Sequence, residues 1–584
     1  MLTKLTIRNF KRFDQAEIEL GKAVVFIGPN NSGKTTALQA LALWHIGLRS
    51  WLAKRGGKAS PEKRPGVAIN RRDLISIPVP AANLLWYELH TRNAQPSVNG
   101  QDKPTTRTEN VRVDVIVDGV THDHAWQCGF EFDYQNEESF VCRPVRWPGF
   151  EHAKVSDAKF SDISEHASQV RVAYLPPMSG LTDREHLKQT GEIGFLIGQG
   201  RTAEVLRNLC YQVYQREDKS GWEDTVRRIA DLFGAALQPP EYIAERSEIT
   251  MRYEENAISL DLSSAGRGLQ QTLLLLAHLY ANPGTILLLD EPDAHLEILR
   301  QRQTYQLLTE VAEMQGSQII SASHSEVVLN EAAGRGKVIA FVGSPHTMND
   351  RGSQVMKALT DIGWDQYYQA ETAGWLLCLE GSTDLSILRA FAATLGHPAK
   401  ERLDRPFVNY VSTNLPQKAR DLFFGLREAK PDLVGIAVFD RLDVPLRQNA
   451  PLMEVMWRRR ELENYFCSED VLMAFARGDQ PNDLFGLAER QKREQAMRET
   501  INEVSQALST LGKPDAWGPD IKATDDFLDP LFKAFFKKLA LPLTFRKADY
   551  HELARLVPKH AIESEIIEKL DAIVAVADKA RPRT

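Results

Sequence analysis

Cysteine is sparse and scattered in this chain. Cys128, Cys142, Cys210, Cys378 and Cys467 form no CxxC pair, which argues against a thiolate zinc site and against a disulfide framework. No apolar run approaches the roughly 18 residues of a membrane span. The opening stretch "MLTKLTIRNF" has no apolar signal core, so a cytoplasmic protein without membrane contact is expected. There is no internal repeat and no low-complexity tract. Basic charge is not in excess either, with 71 Lys and Arg against 78 Asp and Glu, a net charge of -7. That balance excludes a protein that coats nucleic acid through bulk charge and leaves only a local basic groove.

What is present is a globular composition, 43% hydrophobic and 26% charged, in 584 residues. A chain of that length outgrows one core, so two or three domains are expected. "KLTIRNF", "QAEIELG" and "KAVVFIG" read as short strands, the last entering a glycine-rich loop and the helix "TTALQALALWHIGLRSWLA". Residues 55–72 are basic, contain Gly and Pro, and read as a loop over the nucleotide face. "RVDVIVDG" and "WQCGFEFDY" alternate like antiparallel strands. A compact helical insertion is read at about 180–235, a possible dimerisation element by pattern and equally a packed lobe. Helix "LQQTLLLLAHLYA", strand "TILLLD", a helix and strand "QIISASH" follow. From about 372, "GWLLCLEG", "RPFVNYVS" and "LVGIAVFD" alternate with helical segments. That β-α-β-α-β order predicts a parallel sheet with its site at the strands' carboxyl ends. The boundaries read are a first domain at 1–345, a linker at 346–371 and a second domain at 372–584, helical after about 460.

"GPNNSGKT", Gly28 to Thr35, fits G-x-x-x-x-G-K-[ST] between a strand and a helix. In that context Gly28, Asn30, Asn31, Ser32, Gly33, Lys34, Thr35 and Thr36 cradle ATP phosphates on backbone N–H groups and a helix N-terminus. Lys34 reaches the β- and γ-phosphates and Thr35 ligates Mg²⁺. "TILLLDEP" supplies Asp290 for the metal and Glu291 as general base. "SASHS" puts His324 one strand further on, within reach of the γ-phosphate.

The order Lys34, "LSSAG", "LLLDEPDAHLE", His324 resembles an ABC-type ATPase head of the RecF/SMC-like group, as does "LTIRNFKRF". The resemblance implies that Ser263, Ser264, Ala265 and Gly266 form a signature element, binding the nucleotide held by the opposite protomer of a homodimer or higher oligomer. It implies a D-loop role for Asp293. "SAG" departs from the family's "GGQ", and "YLPPMSG" holds no glutamine where a Q-loop should begin. The spacer is too short for a long coiled coil.

In the second domain, "LLCLEGSTDLSIL" ends a strand on Glu380 ahead of Ser382 and Thr383, and "GIAVFDRLDV" ends one on Asp440. Neighbouring parallel strands can bring such tips to one crevice. Asp443, three residues on, joins Asp440 only if the chain bends at once, which Pro445 favours. The pattern E-G-x-x-D … D-x-x-D resembles a TOPRIM domain, and "RRRELENYF" is similar to the region that follows it in the OLD (overcoming lysogenization defect) ATPase–nucleases and in PARIS-type phage-defence proteins. That resemblance implies Glu380 as acid/base or metal ligand, with Asp440 and a partner holding Mg²⁺ or Mn²⁺. Glu463, ahead of "NYF", is preferred to Glu461 as a further ligand. Arg458–Arg460 suit phosphate contacts, and Lys547 is the candidate for a transition-state lysine.

The fold class expected is therefore α/β, an ABC-type head followed by a TOPRIM-like parallel domain with a helical C-terminal extension. The function implied is an ATP-dependent nuclease acting on DNA or RNA in anti-phage defence. One alternative is a PARIS-like effector in which a phage-encoded trigger or a second defence subunit releases RNA or tRNA cleavage. Another is a RecF-like repair ATPase whose second domain only binds.

Overall fold

Strands that are apolar from end to end mark where the parallel sheets form. In the computed structural model the described residues are 1–583, less 56–65, 75, 100–102, 146–162, 177–180, 200, 349–361, 412–414, 448–450 and 479–482. The chain divides into two compact units, Met1–Gly352 and Ser353–Thr584.

In the first unit, strands Ala23–Ile27, Ile286–Asp290 and Gln318–Ala322 are buried along nearly their whole length, as strands covered on both faces must be. Their sheet runs Val172–Leu175, Ile286–Asp290, Gln318–Ala322, Ala23–Ile27, Lys337–Ala340, His346–Thr347, with only the last pair antiparallel. A second, antiparallel sheet runs Phe13–Glu19, Leu2–Phe10, Arg112–Thr121, His124–Asn136, Ser139–Pro144, Val67–Asn70. Helix Lys34–Arg55 touches both sheets, and its buried residues Leu38, Ala40, Leu41, Ala42, Leu43 and Trp44 go round the helix, the signature of a helix covered on all sides. Gly47 permits that closeness, because a Cβ there would stand 3.1 Å from the Phe132 ring.

Helices Thr190–Gly198, Leu206–Tyr214 and Ser220–Phe233 share a core with helix Arg267–Ala281. Most apolar residues of these helices are taken up within their own unit, while Phe195 stays exposed. Two expectations need correction. Within 55–72, Val67–Asn70 is an edge strand paired with Ser139–Pro144. Four residues are too few for a period of two to stand out in the sequence, and positions 56–65 lie outside the described residues. In the stretch read as a linker, His346–Thr347 closes the parallel sheet, and helix Trp364–Ala373 buries Trp364, Tyr367 and Ala370.

The second unit is built on four parallel strands in the order Val408–Tyr410, Trp375–Leu379, Val434–Phe439, Leu452–Met456. The first crossover goes to one side of Trp375–Leu379 and the next to the other. The chain therefore switches direction between Trp375–Leu379 and Val434–Phe439, and an open parallel sheet has its crevice there. Sequence reading missed the fourth strand, "LMEVM", in which only Leu452 is fully buried. Helices Ser382–Leu395, Glu469–Arg477, Leu484–Thr510, Asp529–Lys538 and Ser564–Ala577 pack around one core. All five cysteines are buried and free. Among the described residues no helix is long and apolar enough to cross a membrane.

The helix between the two sheets yields a direct prediction. Gly47→Val should cost about 1–3 kcal/mol of stability through overpacking against Phe130 and Phe132, read as a lower denaturation midpoint. An unchanged midpoint would contradict this packing.

Candidate active sites

The phosphate loop is shaped by backbone that only certain residues tolerate. Gly33 has φ 106° and Asn31 φ 60°, in the region that favours glycine and tolerates asparagine. At Gly33 a Cβ would also stand 2.7 Å from the Phe13 ring. Helix Lys34–Arg55 begins directly after the loop, so its first N–H groups face the space where an anion sits. Lys34 Nζ donates to the carbonyls of Gly28 at 2.7 Å and Pro29 at 2.9 Å.

An open cavity of about 550 Å³ is lined by Arg12, Asn30, Asn31, Ser32, Gly33, Lys34, Thr35, Thr36, Asp290, Glu291 and His324. The structure thus gathers the strand-tip carboxylates and His324 around the loop, 255 or more positions along the chain from Thr35. Thr35 Oγ1 donates to Asp290 Oδ1 at 3.2 Å, and the Tyr174 hydroxyl donates to Asp290 Oδ2 at 2.9 Å. Burial pushes the Asp290 carboxyl up and pulls the Lys34 ammonium down to about 8, against the pull of Glu291 and Asp290. His324 Nε2 stands 3.7 Å from Glu291 Oε1. Burial first, then Lys34, holds its imidazole below the usual value, so the neutral ring is favoured. Glu291 has φ 48°, a strained backbone for a side chain and a feature that clusters at functional sites.

Ser263, Ser264 and Gly266 do not line this cavity. They lie exposed at the N-terminal end of helix Arg267–Ala281, with Asp261 accepting from Ser263 N at 2.9 Å and from Arg207 Nη2 at 3.0 Å. Asp293 is half-buried, and its carboxyl accepts a hydrogen bond from Ser323 of its own chain. Of the stretch "YLPPMSG", residues 177–180 lie outside the described residues. Sequence reading missed Arg12 and Tyr174. Tyr174 carries a weak signal, the last polar tip but one of a strand beside Ile286–Asp290, whereas Arg12 carries none.

In the second unit the crevice collects carboxyl groups. Glu380 follows strand Trp375–Leu379 and Asp440 follows Val434–Phe439. Glu461 and Glu463, only 3% and 4% exposed, come from neither a strand nor an α-helix. Glu461 is extended and caps the tight turn Leu462–Tyr465, a geometry that lets both side chains reach the same pocket. Asp384, part of the E-G-x-x-D pattern but given no role from sequence, folds back so that Oδ2 accepts from Glu380 N at 3.0 Å and Gly381 N at 3.1 Å.

Burial and neighbouring charge act together on these groups. Burial first, then Glu463, Glu380, Asp384 and Glu461, pushes the Asp440 carboxyl up to about 9. Burial and Glu461 push Glu463 up to about 8, against the pull of Lys547. Lys547 Nζ lies 3.8 Å from Glu463 Oε1, an oxygen that is buried without a hydrogen-bond partner. Burial lowers Lys547, but Glu463, Glu461, Asp384 and Asp525 more than offset this and leave it raised. The bend after Asp440 is present, yet Asp443 is exposed, and it is Glu463 that faces Asp440. The expectation that Asp443 shares the crevice is corrected on that ground: with Leu442 and Val444 it sits on the open segment past the bend. Arg458 and Arg459 pair with Glu568 at 2.9 Å and Glu563 at 2.6 Å. Among the described residues, no three His, Cys, Asp or Glu side chains stand in a ready-made metal-ligand arrangement.

Comparison with known proteins adds to the first unit. Residues 1–44 match the family described as "AAA ATPase domain", and residues 189–330 match that described as "AAA domain, putative AbiEii toxin, Type IV TA system". No curated protein matches the chain. Among solved structures, the chain is similar to the SMC head domain from Thermotoga maritima, at 16% identity and a TM-score of 0.31 over 59% of this chain and 98% of that one. It is also similar to an SMC head bound to the C-winged helix domain of ScpA, at 15% identity and 0.34 over 59% and 98%. A third is the SMC head with an extended coiled coil bound to the C-terminal domain of ScpA derived from Pyrococcus furiosus, at 13% and 0.35 over 62% and 99%. The chain carries AAA-type ATPase domain sequence, and the phosphate loop of its first unit lies within it.

Proposed function

We propose that the protein is an ATP-dependent, metal-dependent nuclease of the OLD-like class, in which a TOPRIM-like second unit cuts nucleic acid and serves anti-phage defence. The observation that carries this is the convergence of Glu380, Asp384, Asp440, Glu461 and Glu463 at the switch point of a parallel sheet. Carboxyl groups gathered in this way, Glu461 and Glu463 buried and the others half-buried, repel one another and lose hydration, a cost that a bound cation offsets. The unpartnered, buried Oε1 of Glu463 and the raised carboxyl of Asp440 fit a site whose donors suit a hard divalent cation. Asp384 accepts from backbone N–H groups and Glu461 from Thr524 N, which fixes both carboxyl groups in place.

Asp440, Glu463 and Glu380 would hold Mg²⁺ or Mn²⁺. Two such ions supply an activated water and a clamp on the leaving oxygen in phosphodiester cleavage. Lys547, beside Glu463, is placed to offset negative charge that grows on the phosphate. In the first unit, Lys34 and the loop N–H groups would bind the ATP phosphates, Thr35 and Asp290 would hold its Mg²⁺, and Glu291 would orient the attacking water with the neutral His324 beside it. The exposed Ser263, Ser264 and Gly266, absent from the lining of their own chain's cavity, support a head-to-head homodimer in which they reach the partner's nucleotide.

Plasmid DNA and total RNA incubated with Mg²⁺ or Mn²⁺, with and without ATP, test the reading. Wild type should cut at least one of them and Glu380→Ala neither; cleavage by Glu380→Ala at the wild-type rate would sink the nuclease assignment. In ATPase assays Glu291→Gln should retain nucleotide and lose about 10²–10⁴-fold in turnover, and unchanged turnover would remove Glu291 as the base. Protons and cations should also compete. Asp440 and Glu463 keep protons in the folded state that the unfolded chain releases above about pH 4, so metal-free stability falls as pH rises from there through about 8 to 9. Asp440→Asn should therefore raise the metal-free Tm at pH 8 by several degrees, and Mg²⁺ should stabilise wild type but not the variant. A lower metal-free Tm for the variant would contradict the electrostatics.

A further inference from the structure

A clamped segment, residues 518–525, joins the elements that carry the crevice carboxylates. Arg460 N donates to the Pro519 carbonyl at 2.7 Å, and Asn464 Nδ2 donates to the carbonyls of Ile521 at 3.1 Å and Gly518 at 3.3 Å. Thr524 N donates to the Glu461 carboxylate. On the other side Arg441, which follows Asp440, pairs with Asp520 at 2.7 Å. The segment is thus tied both to the turn bearing Glu461 and Glu463 and to the strand end bearing Asp440. It winds directly into a π-helical turn, Ala523–Leu528, a rare geometry often found at functional sites.

Lys522 stands in the middle of this segment with its side chain 54% exposed and its ammonium 2.6 Å from Asp525. Two residues on, Thr524 N is hydrogen-bonded to Glu461, which places Lys522 on the stretch of chain that borders the crevice, and Glu461 and Glu380 act on its ammonium. An exposed pair three residues apart holds its partners weakly, within about 1 kcal/mol, and leaves Lys522 free to exchange Asp525 for a stronger anion. Lys547 differs: it is turned to the buried Glu463. A crevice of carboxylates in a chain of net charge -7 repels a polyanion, and a cation on its edge is what lets a phosphate approach.

We propose that Lys522 is a substrate-contacting residue, which leaves Asp525 to grip a backbone phosphate of the nucleic-acid strand entering the crevice. The inference rests on the nuclease reading above and adds the contact that holds the strand. The test uses the full-length protein and a labelled oligonucleotide of the kind wild type cuts. Binding is followed by fluorescence anisotropy in Ca²⁺ between 50 and 200 mM salt, about the range over which phosphate contacts dominate. Lys522→Gln should weaken binding about three- to tenfold and lower the salt slope by about one, Lys522→Arg should restore both, and Asp525→Asn should tighten binding. Lys522→Gln with wild-type affinity and slope, on a wild type that binds and cuts, overturns this inference and leaves the nuclease reading standing. A Lys522→Arg that restores neither overturns it as well. A wild type that neither binds nor cuts any nucleic acid overturns both.

Discussion

A parallel strand covered on both faces has little room for a charged side chain along its length, so its first charged group appears at or just past its carboxyl end. Both units obey this constraint. In the first, Ala23–Ile27, Ile286–Asp290 and Gln318–Ala322 release the phosphate loop, the Asp290–Glu291 pair and His324 at one edge of one sheet. In the second, Trp375–Leu379 and Val434–Phe439 release Glu380 and Asp440. Chain order then decides which tips meet, because the crevice opens where successive crossovers part to opposite sides.

The same constraint produces two different electrostatic outcomes. At the phosphate loop each carboxylate has a neutral or cationic neighbour: Asp290 is held by Thr35 and Tyr174, and Lys34 lies within reach of both Asp290 and Glu291. Charge at that site is balanced by the chain's own groups. The second crevice is unbalanced. Its carboxyl groups outnumber Lys547 and Lys522, the lysines that act on them, and Asp440 answers by holding its proton far above the usual carboxylate range. Gathering carboxyl groups in this way is costly for stability, and such clusters concentrate at functional sites.

The parts legible in the sequence were those carried by contiguous residues. "GPNNSGKT" fixes a loop by its own backbone needs, and "TILLLDEP" and "LVGIAVFD" display the buried strand and its polar tip together. Order along the chain was enough to expect a parallel second sheet. What stayed hidden depends on how distant pieces meet. Arg12 reaches the phosphate cavity from the turn between the first two strands, and Tyr174 reaches Asp290 only through strand pairing. The contest between Asp443 and Glu463 turned on the path after Asp440. A parity argument assumed regular strand or helix for "RELENYF", and the tight turn Leu462–Tyr465 with an extended Glu461 is neither. Edge strand Val67–Asn70 and strand Leu452–Met456 were missed because each is short and incompletely buried.

The central claim is that the acidic crevice of the second unit is a cation site. Crystals grown with Mn²⁺ and measured at the manganese absorption edge test it most directly. The account predicts anomalous density within bonding distance, about 2.0–2.2 Å for a small hard divalent cation, of the carboxylates of Asp440 and Glu463, with Glu380 drawn in. An empty crevice in crystals whose phosphate loop holds Mn²⁺ with nucleotide would contradict it.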